Sequence, residues 1–458
     1  MHESSIISVY FYLFLSILFN HSAQATASQK VINKETEVWA ESLAEKKQAI
    51  VRVYRPNIGQ STGFFVGDSE TLVINAQMLH IFSPQLYTQK QDRLSKIQSI
   101  KKLDTELLSF PNISHLNTIT VVYKKGSILK LEVTGIALSG KDNLAVLKVK
   151  GYTGPFLQIS NSLSHKDSEF YVMGFHSENL TVIKGRNVPQ KQRPRQITIA
   201  GDNLTLNSIN GSPVLNKDGQ VIGVVTENFL NFIFASRLGH LKSLLETPGL
   251  RNASFDELKT IVTTEIKQLY KSAKEGDLWA MYMVGMGVKH VGENVKNKQS
   301  VHQSYLESSF WFQRAANHNF SPAQLQLGLL SFFGLGLPVN KKRATFLLQK
   351  AAQDSTIARF LLGMMLYDGI GISENKQRAL FLLKTAAEQG FLLAQLQLFE
   401  IFKNDNSDPA NKKKSEFWFK EAQKQNVTLA TFGEQAIPDI ILQSRIGPTP
   451  RRCPKSFQ

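Results

Sequence analysis

Three side chains of the types used in nucleophilic catalysis occur in the first half of the chain: His80, Asp142 and Ser212. A serine hydroxyl becomes a nucleophile when a histidine takes its proton and a carboxylate fixes the histidine tautomer. Each of the three has a carboxamide residue within three positions: Gln77, Asn143 and Asn210. A carboxamide neither ionises near neutral pH nor offers a nucleophilic oxygen. The chemistry of this half therefore depends on which of the two sets meets in one cleft.

The segments that must position these residues have the texture of many short strands. β-branched and aromatic runs alternate with Gly, Asn and Asp. Four of the runs lie at 49–54, 63–66, 71–74 and 118–123. Two further runs, 213–216 and 220–225, flank a turn whose Gly219 can adopt the positive φ that a hairpin needs. This half is predicted to be all-β.

The pattern changes near residue 245. Between Glu257 and Lys274 the apolar residues recur at helical spacing, and Pro248-Gly249 marks the joint. At 458 residues the chain is also too long for one ordinary core. We therefore predict an all-β domain over 35–245, a linker and helix start at 246–264, and an all-α domain after it.

Composition excludes several kinds of site. The single cysteine, Cys453, excludes an intramolecular disulfide and a zinc site built on several thiolates, and we expect no metal and no cofactor. The net charge of +16 favours polyanionic partners. Because the basic residues are scattered and only short runs such as 412–414 occur, we infer a solvated basic surface and no nucleic-acid partner.

The first residues are typical of an export signal. An apolar stretch runs from Ile6 to Phe19, and Ala23-Gln24-Ala25 offers a small-x-small cleavage site, so a signal peptide is predicted at 1–25. The start carries no Lys or Arg, and an uncleaved membrane anchor is the alternative. The stretch is shorter than the roughly 20 residues that cross a bilayer, so we expect no stable membrane span after cleavage and a periplasmic or extracellular location.

Several motifs of the first half resemble the trypsin-like serine peptidases, and specifically the disulfide-free bacterial HtrA branch. They occur in the family's order at 63–66, 72–77, 143–148 and 210–214, and the run 172–175 resembles the strand that opens the second barrel. The resemblance covers about residues 35–245. It implies two six-stranded barrels packed face to face with an active-site cleft between them.

In the family's register the three catalytic positions hold amides. The histidine position is Gln77, the aspartate position is Asn143 and the nucleophile position is Asn210. The glycine that the family has two residues before the nucleophile is Ser208 here. The resemblance therefore implies an inactive peptidase domain with a degenerate triad.

A displaced triad is the alternative, in which His80, Asp142 and Ser212 act instead. Along a strand a shift of one residue turns a side chain to the opposite face, so Asp142 should point away from the cleft if Asn143 points into it. Three unequal shifts would also have to converge within hydrogen-bonding distance. We therefore expect no catalytic residues, and we expect the cleft to hold an extended peptide at most.

The second half carries an internal repeat. Seven small residues recur after the same interval of 35 positions: Ala323, Gly328, Gly334, Gly336, Ala344, Ala351 and Ala352 return as Ala358, Gly363, Gly369, Gly371, Ala379, Ala386 and Ala387. This period with two helical patterns per unit indicates a helix-hairpin solenoid, with the Gly-x-Gly pairs forming the turns. Most aromatic residues here should be core: Trp311, Phe312, Phe332, Phe333, Phe346, Phe381, Trp418 and Phe419.

The repeated pattern resembles Sel1-like repeats, which are relatives of the tetratricopeptide family. About four units are predicted over 265–425, followed by a basic, proline-containing tail at 426–458. The resemblance implies a solenoid surface that binds a protein or peptide. We therefore expect an exported bacterial adaptor that joins an inactive trypsin-like domain to Sel1-like repeats. The alternatives are an active serine endopeptidase whose repeats recruit substrates, and a structural spacer of the cell envelope.

Overall fold

The computed structural model describes residues 34–55, 59–79, 116–123, 127–161, 169–176, 179–188, 195–201, 209–229, 232–247, 250, 253–294 and 298–425. The predicted signal peptide, the candidate His80 and the predicted tail lie outside these residues. The described chain forms two β-barrels followed by helices, and this architecture confirms the predicted fold class.

The first barrel is built from strands that bury one or both faces. They are β1 (Ile50–Arg55), β2 (Gly59–Phe65), β3 (Thr71–Asn75), β4 (Thr118–Tyr123), β5 (Ser127–Ser139) and β6 (Leu144–Lys150). They close antiparallel in the order β1-β2-β3-β6-β5-β4. The pairing of β3 with β6 runs from Thr71 opposite Lys148 to Asn75 opposite Leu144. This register places the end of β3 beside the turn that precedes β6.

The second barrel repeats the architecture. Its strands are β7 (Glu169–His176), β8 (Asn179–Asn187), β9 (Gln196–Gly201), β10 (Pro213–Leu215), β11 (Val221–Phe229) and β12 (Phe232–Arg237). They close antiparallel in the order β10-β11-β12-β9-β8-β7. The predicted hairpin is β10–β11, and Gly219 in its turn has a φ of 71°. An N-terminal helix, α1 (Lys34–Ser42), packs on this barrel by stacking Trp39 on Tyr171.

The helical half consists of successive antiparallel pairs. After the linker helix α2 (Leu238–Leu245) come α3 (Phe255–Lys274), α4 (Leu278–Asn294), α5 (Lys298–Asn317), α6 (Ser321–Phe333), α7 (Lys341–Ala351), α8 (Thr356–Tyr367), α9 (Lys376–Glu388), α10 (Leu392–Asn404) and α11 (Ala410–Gln425). Helix α3 starts at a capping box, in which Ser254 and Glu257 satisfy each other's backbone NH groups.

The repeat predicted from the glycines and alanines is visible in equivalent contacts. Gly334 and Gly369 both have left-handed backbones with φ of 70° and 65°, and they end α6 and start the turn after α8. A side chain at Gly363 would overlap Leu383 of the paired helix, so glycine permits the close approach of α8 and α9. The prediction that small residues serve helix pairing is confirmed.

The aromatic residues of the repeats divide into two groups. Trp311, Phe312, Phe332 and Trp418 are buried as predicted. Phe346 and Phe381 are not, and the prediction that they belong to the core is wrong for these two, because they lie on the outer side of α7 and α9. Helical spacing marks a stripe of apolar residues but does not show whether another element covers it.

The barrels and the helices share apolar cores. One cluster of buried residues runs from the first barrel into α3, α4 and α5, and a second joins the second barrel to the later repeats. In the second cluster Phe232 of β12 stacks on Phe391 at the start of α10, with ring centroids 5.3 Å apart. The first helix of the repeat units thus faces the barrels.

Candidate functional site

The two barrels meet where β2 of the first crosses the start of β10 in the second. The backbone NH of Thr62 donates to the carbonyl of Asn210 at 3.1 Å, and the hydroxyl of Ser61 donates to the same oxygen. The Thr62 hydroxyl accepts from the NH of Phe175 in β7 at 2.9 Å. These bonds hold Asn210, the predicted nucleophile position, against the first barrel.

Asn143 lies at the barrel interface and acts as a hydrogen-bond donor there. Its Nδ2 donates to the carbonyl of Thr226 in β11 at 3.2 Å, and Nδ2 of Asn75 donates to the same oxygen at 3.1 Å. Asn143 is 3% exposed, and its φ of 52° is a left-handed conformation that asparagine tolerates. Asn143, which the sequence analysis predicts at the aspartate position, therefore donates to a carbonyl in this structure.

The segment Asn210-Gly211-Ser212 is fixed by its backbone. The NH of Gly211 donates to the carbonyl of Val225 at 2.7 Å, and Gly211 has a φ of 84°. A side chain at this position would overlap the carbonyl of Thr62, so glycine is required for the barrels to approach. Ser212 is completely buried, and its Oγ has no hydrogen-bond partner among the described residues.

Gln77 follows β3 in a short 3-10 helix, Ala76–Leu79. Its backbone NH donates to Oδ1 of Asn75 at 2.9 Å, and the neighbouring Ala76 donates to the carbonyl of Asn143 at 3.1 Å. Gln77 and Asn143 are therefore linked through Asn75 and Thr226, whereas Asn210 is held separately by Ser61 and Thr62. The second candidate histidine position, His80, lies outside the described residues.

Asp142 is engaged by partners other than the residues of the displaced triad. Arg195 donates to both of its carboxylate oxygens, from Nε at 2.9 Å and from Nη2 at 2.8 Å. Ser139 donates to Oδ2 at 2.7 Å, and Nδ1 of His240 lies 3.0 Å from Oδ1. This cluster, which we name the Asp142 clasp, joins the first barrel to β9 and to the linker helix α2.

The clasp stabilises the ionised carboxylate. Burial opposes ionisation of Asp142, but hydrogen bonds from His240, Arg195 and Ser139 outweigh it and hold the pKa of the carboxyl far below its ordinary value of 3.8. Glu265 of α3 lies nearby and accepts from the NH of Gly140 at 3.0 Å. Burial, together with the charge of Asp142, raises the pKa of Glu265 above its ordinary value of 4.5.

A second serine, Ser236, lies beside His240 of the clasp, but the geometry of this serine, the histidine and Asp142 differs from that of a proton relay. The hydroxyl of Ser236 lies 3.4 Å from Nδ1 of His240, the same nitrogen that faces Asp142. In a triad the carboxylate and the hydroxyl bind opposite nitrogens of the imidazole. Ser236 is also 1% exposed, which leaves no room for a substrate carbonyl beside it.

Helices hold the turn that carries Asp142 and Asn143. Lys141 forms a 2.6 Å ion pair with Asp277, and its carbonyl accepts from the indole NH of Trp279 at 2.7 Å. On the second barrel, Glu227 follows Thr226 in β11, and its two carboxylate oxygens both lie 3.1 Å from the hydroxyl of Tyr282 in α4. The first helical pair therefore packs against both barrels next to the amide positions.

The sequence pointed to the three amide positions but missed the residues that surround them. Thr226, Arg195, His240 and Tyr282 belong to strands and helices distant in sequence from Asn143, and no motif marks them. The only sequence signal for Thr226 is its position directly after the apolar residues of β11.

Among the described residues no group of His, Cys, Asp and Glu is arranged to hold a metal ion, and no helix is long and apolar enough to span a membrane.

The helical half contains Sel1 repeats. The Sel1 repeat family matches residues 303–320, 321–355 and 356–391. These matches begin within α5 and end at the turn before α10. No curated protein matches the chain.

The solved structures that are similar to the chain include two proteases. The Rv3671c protease of Mycobacterium tuberculosis in its active form is 16% identical, with 51% of this chain and 96% of that chain covered and a TM-score of 0.34. The serine endoprotease of Yersinia pestis is 17% identical, with 47% of this chain and 67% of that chain covered and a TM-score of 0.33.

Proposed function

We propose that this protein is an exported, non-catalytic protein-binding scaffold, in which an inactive double barrel supports a solenoid of Sel1 repeats. The observation that carries the proposal is the hydrogen bond from the Asn143 amide to the Thr226 carbonyl at the barrel interface. A side chain committed as a donor there cannot orient and charge-stabilise a catalytic histidine.

The surroundings of the other candidate residues support the same proposal. Asp142, the carboxylate of the displaced triad, is occupied by Arg195, Ser139 and His240. Ser212, the candidate nucleophile, is completely buried below Gly174, where any side chain would overlap its Oγ. A nucleophile must reach the substrate carbonyl within about 3 Å. Both groups therefore serve the packing of the barrels.

Binding is assigned to the helical half because Sel1 repeats generally mediate protein–protein interaction. The predicted signal peptide at 1–25 supports export to the periplasm or beyond the cell. Edman sequencing of the exported protein tests this part, with a new N-terminus after Ala25 as the expected result.

A peptidase assay tests the lack of catalysis. The full-length protein and its Ser212→Ala variant are incubated with casein and with fluorogenic peptides. We expect no hydrolysis by either protein above the buffer blank. Hydrolysis by the wild-type protein that Ser212→Ala abolishes would show an active endopeptidase with a displaced triad.

Cross-linking in intact cells followed by mass spectrometry tests the binding function. A scaffold should give reproducible cross-links between residues of the repeats and one recurring protein. A structural spacer should give none above the level found for an unrelated exported protein. Because the repeats and the barrels share buried cores, the experiment uses the full-length chain.

A further inference from the structure

Three phenylalanines stand exposed at equivalent places on the second helices of successive helical pairs. Phe346 of α7 is 55% exposed, Phe381 of α9 is 68% exposed and Phe417 of α11 is 53% exposed. Phe346 and Phe381 occupy the same place in two adjacent Sel1 repeats. Isolated exposed apolar residues are ordinary, but an exposed phenylalanine on the second helix of three successive pairs forms a row.

Each of these phenylalanines has an exposed cation one helical turn before it and another one turn after it. The pairs are Lys342 and Lys350, Arg378 and Lys384, and Lys413 and Lys420. Residues three or four apart share a helix face, so each ring shares its face with two cations, of which Lys384 also forms a 3.7 Å ion pair with Glu388. In α7 the ammonium of Lys350 lies 5.0 Å from the centre of the Phe346 ring.

The charge on these second helices is strongly positive. Together α7, α9 and α11 contain twelve lysines and arginines against three glutamates, which amounts to nine of the sixteen net positive charges of the chain. The scattered basic residues of the sequence are therefore concentrated by the fold. We name the three phenylalanines with their six flanking cations the aromatic-basic face.

The other side of the same solenoid is already covered by the barrels. Phe391 at the start of α10 stacks on Phe232 of the second barrel, and Tyr282 of α4 donates to Glu227. Helix α4 and the start of α10 thus meet the chain's own barrels. The three exposed rings on the second helices belong to neither of the shared apolar cores.

The combination of rings and cations identifies the chemistry of the partner. A protein partner would need pockets in register with three separate rings, whereas a lipid interface accepts apolar side chains at any spacing. Lysine and arginine beside the rings reach the phosphates of anionic headgroups while their aliphatic stems stay in the apolar layer. Exposed aromatic residues on one face of a strongly basic helix are the composition of interfacial helices.

We propose that the aromatic-basic face docks the protein on a membrane surface that contains anionic phospholipid. The three rings enter the boundary between headgroups and acyl chains, and the flanking cations bind the headgroup phosphates. Attachment is peripheral and reversible.

Co-sedimentation of the full-length protein with lipid vesicles tests this proposal. We expect binding to phosphatidylglycerol vesicles that high salt weakens, and much weaker binding to phosphatidylcholine vesicles. A variant combining Phe346→Ser, Phe381→Ser and Phe417→Ser should bind phosphatidylglycerol about a hundredfold more weakly, because three partly inserted rings are lost. Replacing Lys342, Lys350, Arg378 and Lys413 by glutamine should weaken binding by about fivefold for each cation removed.

The matched control removes three exposed apolar residues from the barrel half. Val38→Ser, Tyr54→Ser and Ile128→Ser replace side chains that are 59%, 48% and 71% exposed. This variant should bind vesicles like the wild-type protein, and circular dichroism verifies that both triple variants are folded.

Several outcomes would overturn the proposal. They are equal binding of the wild-type protein to both lipids, no binding to either, and unchanged binding of the phenylalanine variant. Binding to polyglutamate without binding to phosphatidylglycerol vesicles would assign the face to an acidic protein partner instead. None of these outcomes bears on the peptidase assay, so failure here is distinguishable from failure of the scaffold proposal.

Discussion

Asp142→Asn is the substitution that most directly separates a structural carboxylate from a catalytic one. The side chain of Asp142 is 5% exposed and accepts two hydrogen bonds from Arg195 and one from Ser139, with His240 at 3.0 Å. Asparagine has nearly the same shape, but it removes the charge and turns one acceptor into a donor that faces other donors.

The expected loss of unfolding free energy is about 2–3 kcal/mol. Breaking a fully buried ion pair costs about 3–5 kcal/mol. The loss expected here is smaller, because Arg195 regains water contact at the surface when Asp142 is replaced. The side chain of Arg195 is 37% exposed. Urea unfolding at pH 7, followed by tryptophan fluorescence and circular dichroism, measures the difference.

Asp68→Asn is the matched control. Asp68 pairs with Lys148 at 2.6 Å but is 50% exposed, so its loss should cost less than about 1 kcal/mol.

The clasp also predicts that the free energy of unfolding depends on pH. Because the pKa of Asp142 is lowered in the folded state, its stabilisation is complete above the ordinary value of 3.8. Below that pH it declines by about 1.4 kcal/mol per pH unit.

Two results would refute this reasoning. One is an Asp142→Asn variant no less stable than the Asp68→Asn control at pH 7. The other is a stability difference between wild type and Asp142→Asn that stays constant as the pH falls from 5 to about 3. Either result would mean that Asp142 does not hold the barrels and the linker helix together.

Three further predictions concern the interfaces around the amide positions. Asn143→Asp should lower the unfolding free energy by about 2–3 kcal/mol, because a buried donor to Thr226 becomes an acceptor that faces a carbonyl; urea unfolding measures this, and wild-type stability would contradict it. Tyr282→Phe should cost about 1–2 kcal/mol and speed limited proteolysis between barrels and helices, since the hydrogen bond from the Tyr282 hydroxyl to Glu227 is lost; Tyr54→Phe, at a residue 48% exposed, is the control. The gain in thermal midpoint of Glu265→Gln over the wild-type protein should be larger at pH 7 than at pH 5. The pKa of Glu265 is raised in the folded state, so the wild-type protein has stability at low pH that it loses as the pH rises through the range above 4.5, whereas glutamine stays neutral. An equal effect of Glu265→Gln at both pH values would mean that this carboxyl is not strained by burial.

Much of the fold was predictable because its signals are local. The strand at Thr118–Tyr123 and the turn at Gly219 follow from side-chain alternation and from the backbone freedom of glycine. The repeat was predictable because small residues recur wherever paired helices touch, as at Gly363. These features depend on residues close in sequence.

The surroundings of the candidate site were not predictable, since they depend on residues far apart in sequence. Arg195 lies 53 residues from Asp142, and nothing near either residue announces the pair. The burial of Phe332 and the exposure of Phe381 could not be distinguished either, because both residues fit the helical stripe. Which stripe is covered depends on how the barrels dock.

Labelling with a fluorophosphonate, which reacts covalently with activated serines, tests the absence of a nucleophile most directly. The full-length protein is incubated with the probe beside an active serine protease, and peptides covering Ser212 are analysed by mass spectrometry. We predict no adduct on Ser212, because its hydroxyl is buried and has no hydrogen-bond partner in the part of the chain that the structure describes. An adduct on Ser212 that denaturation abolishes would contradict the account.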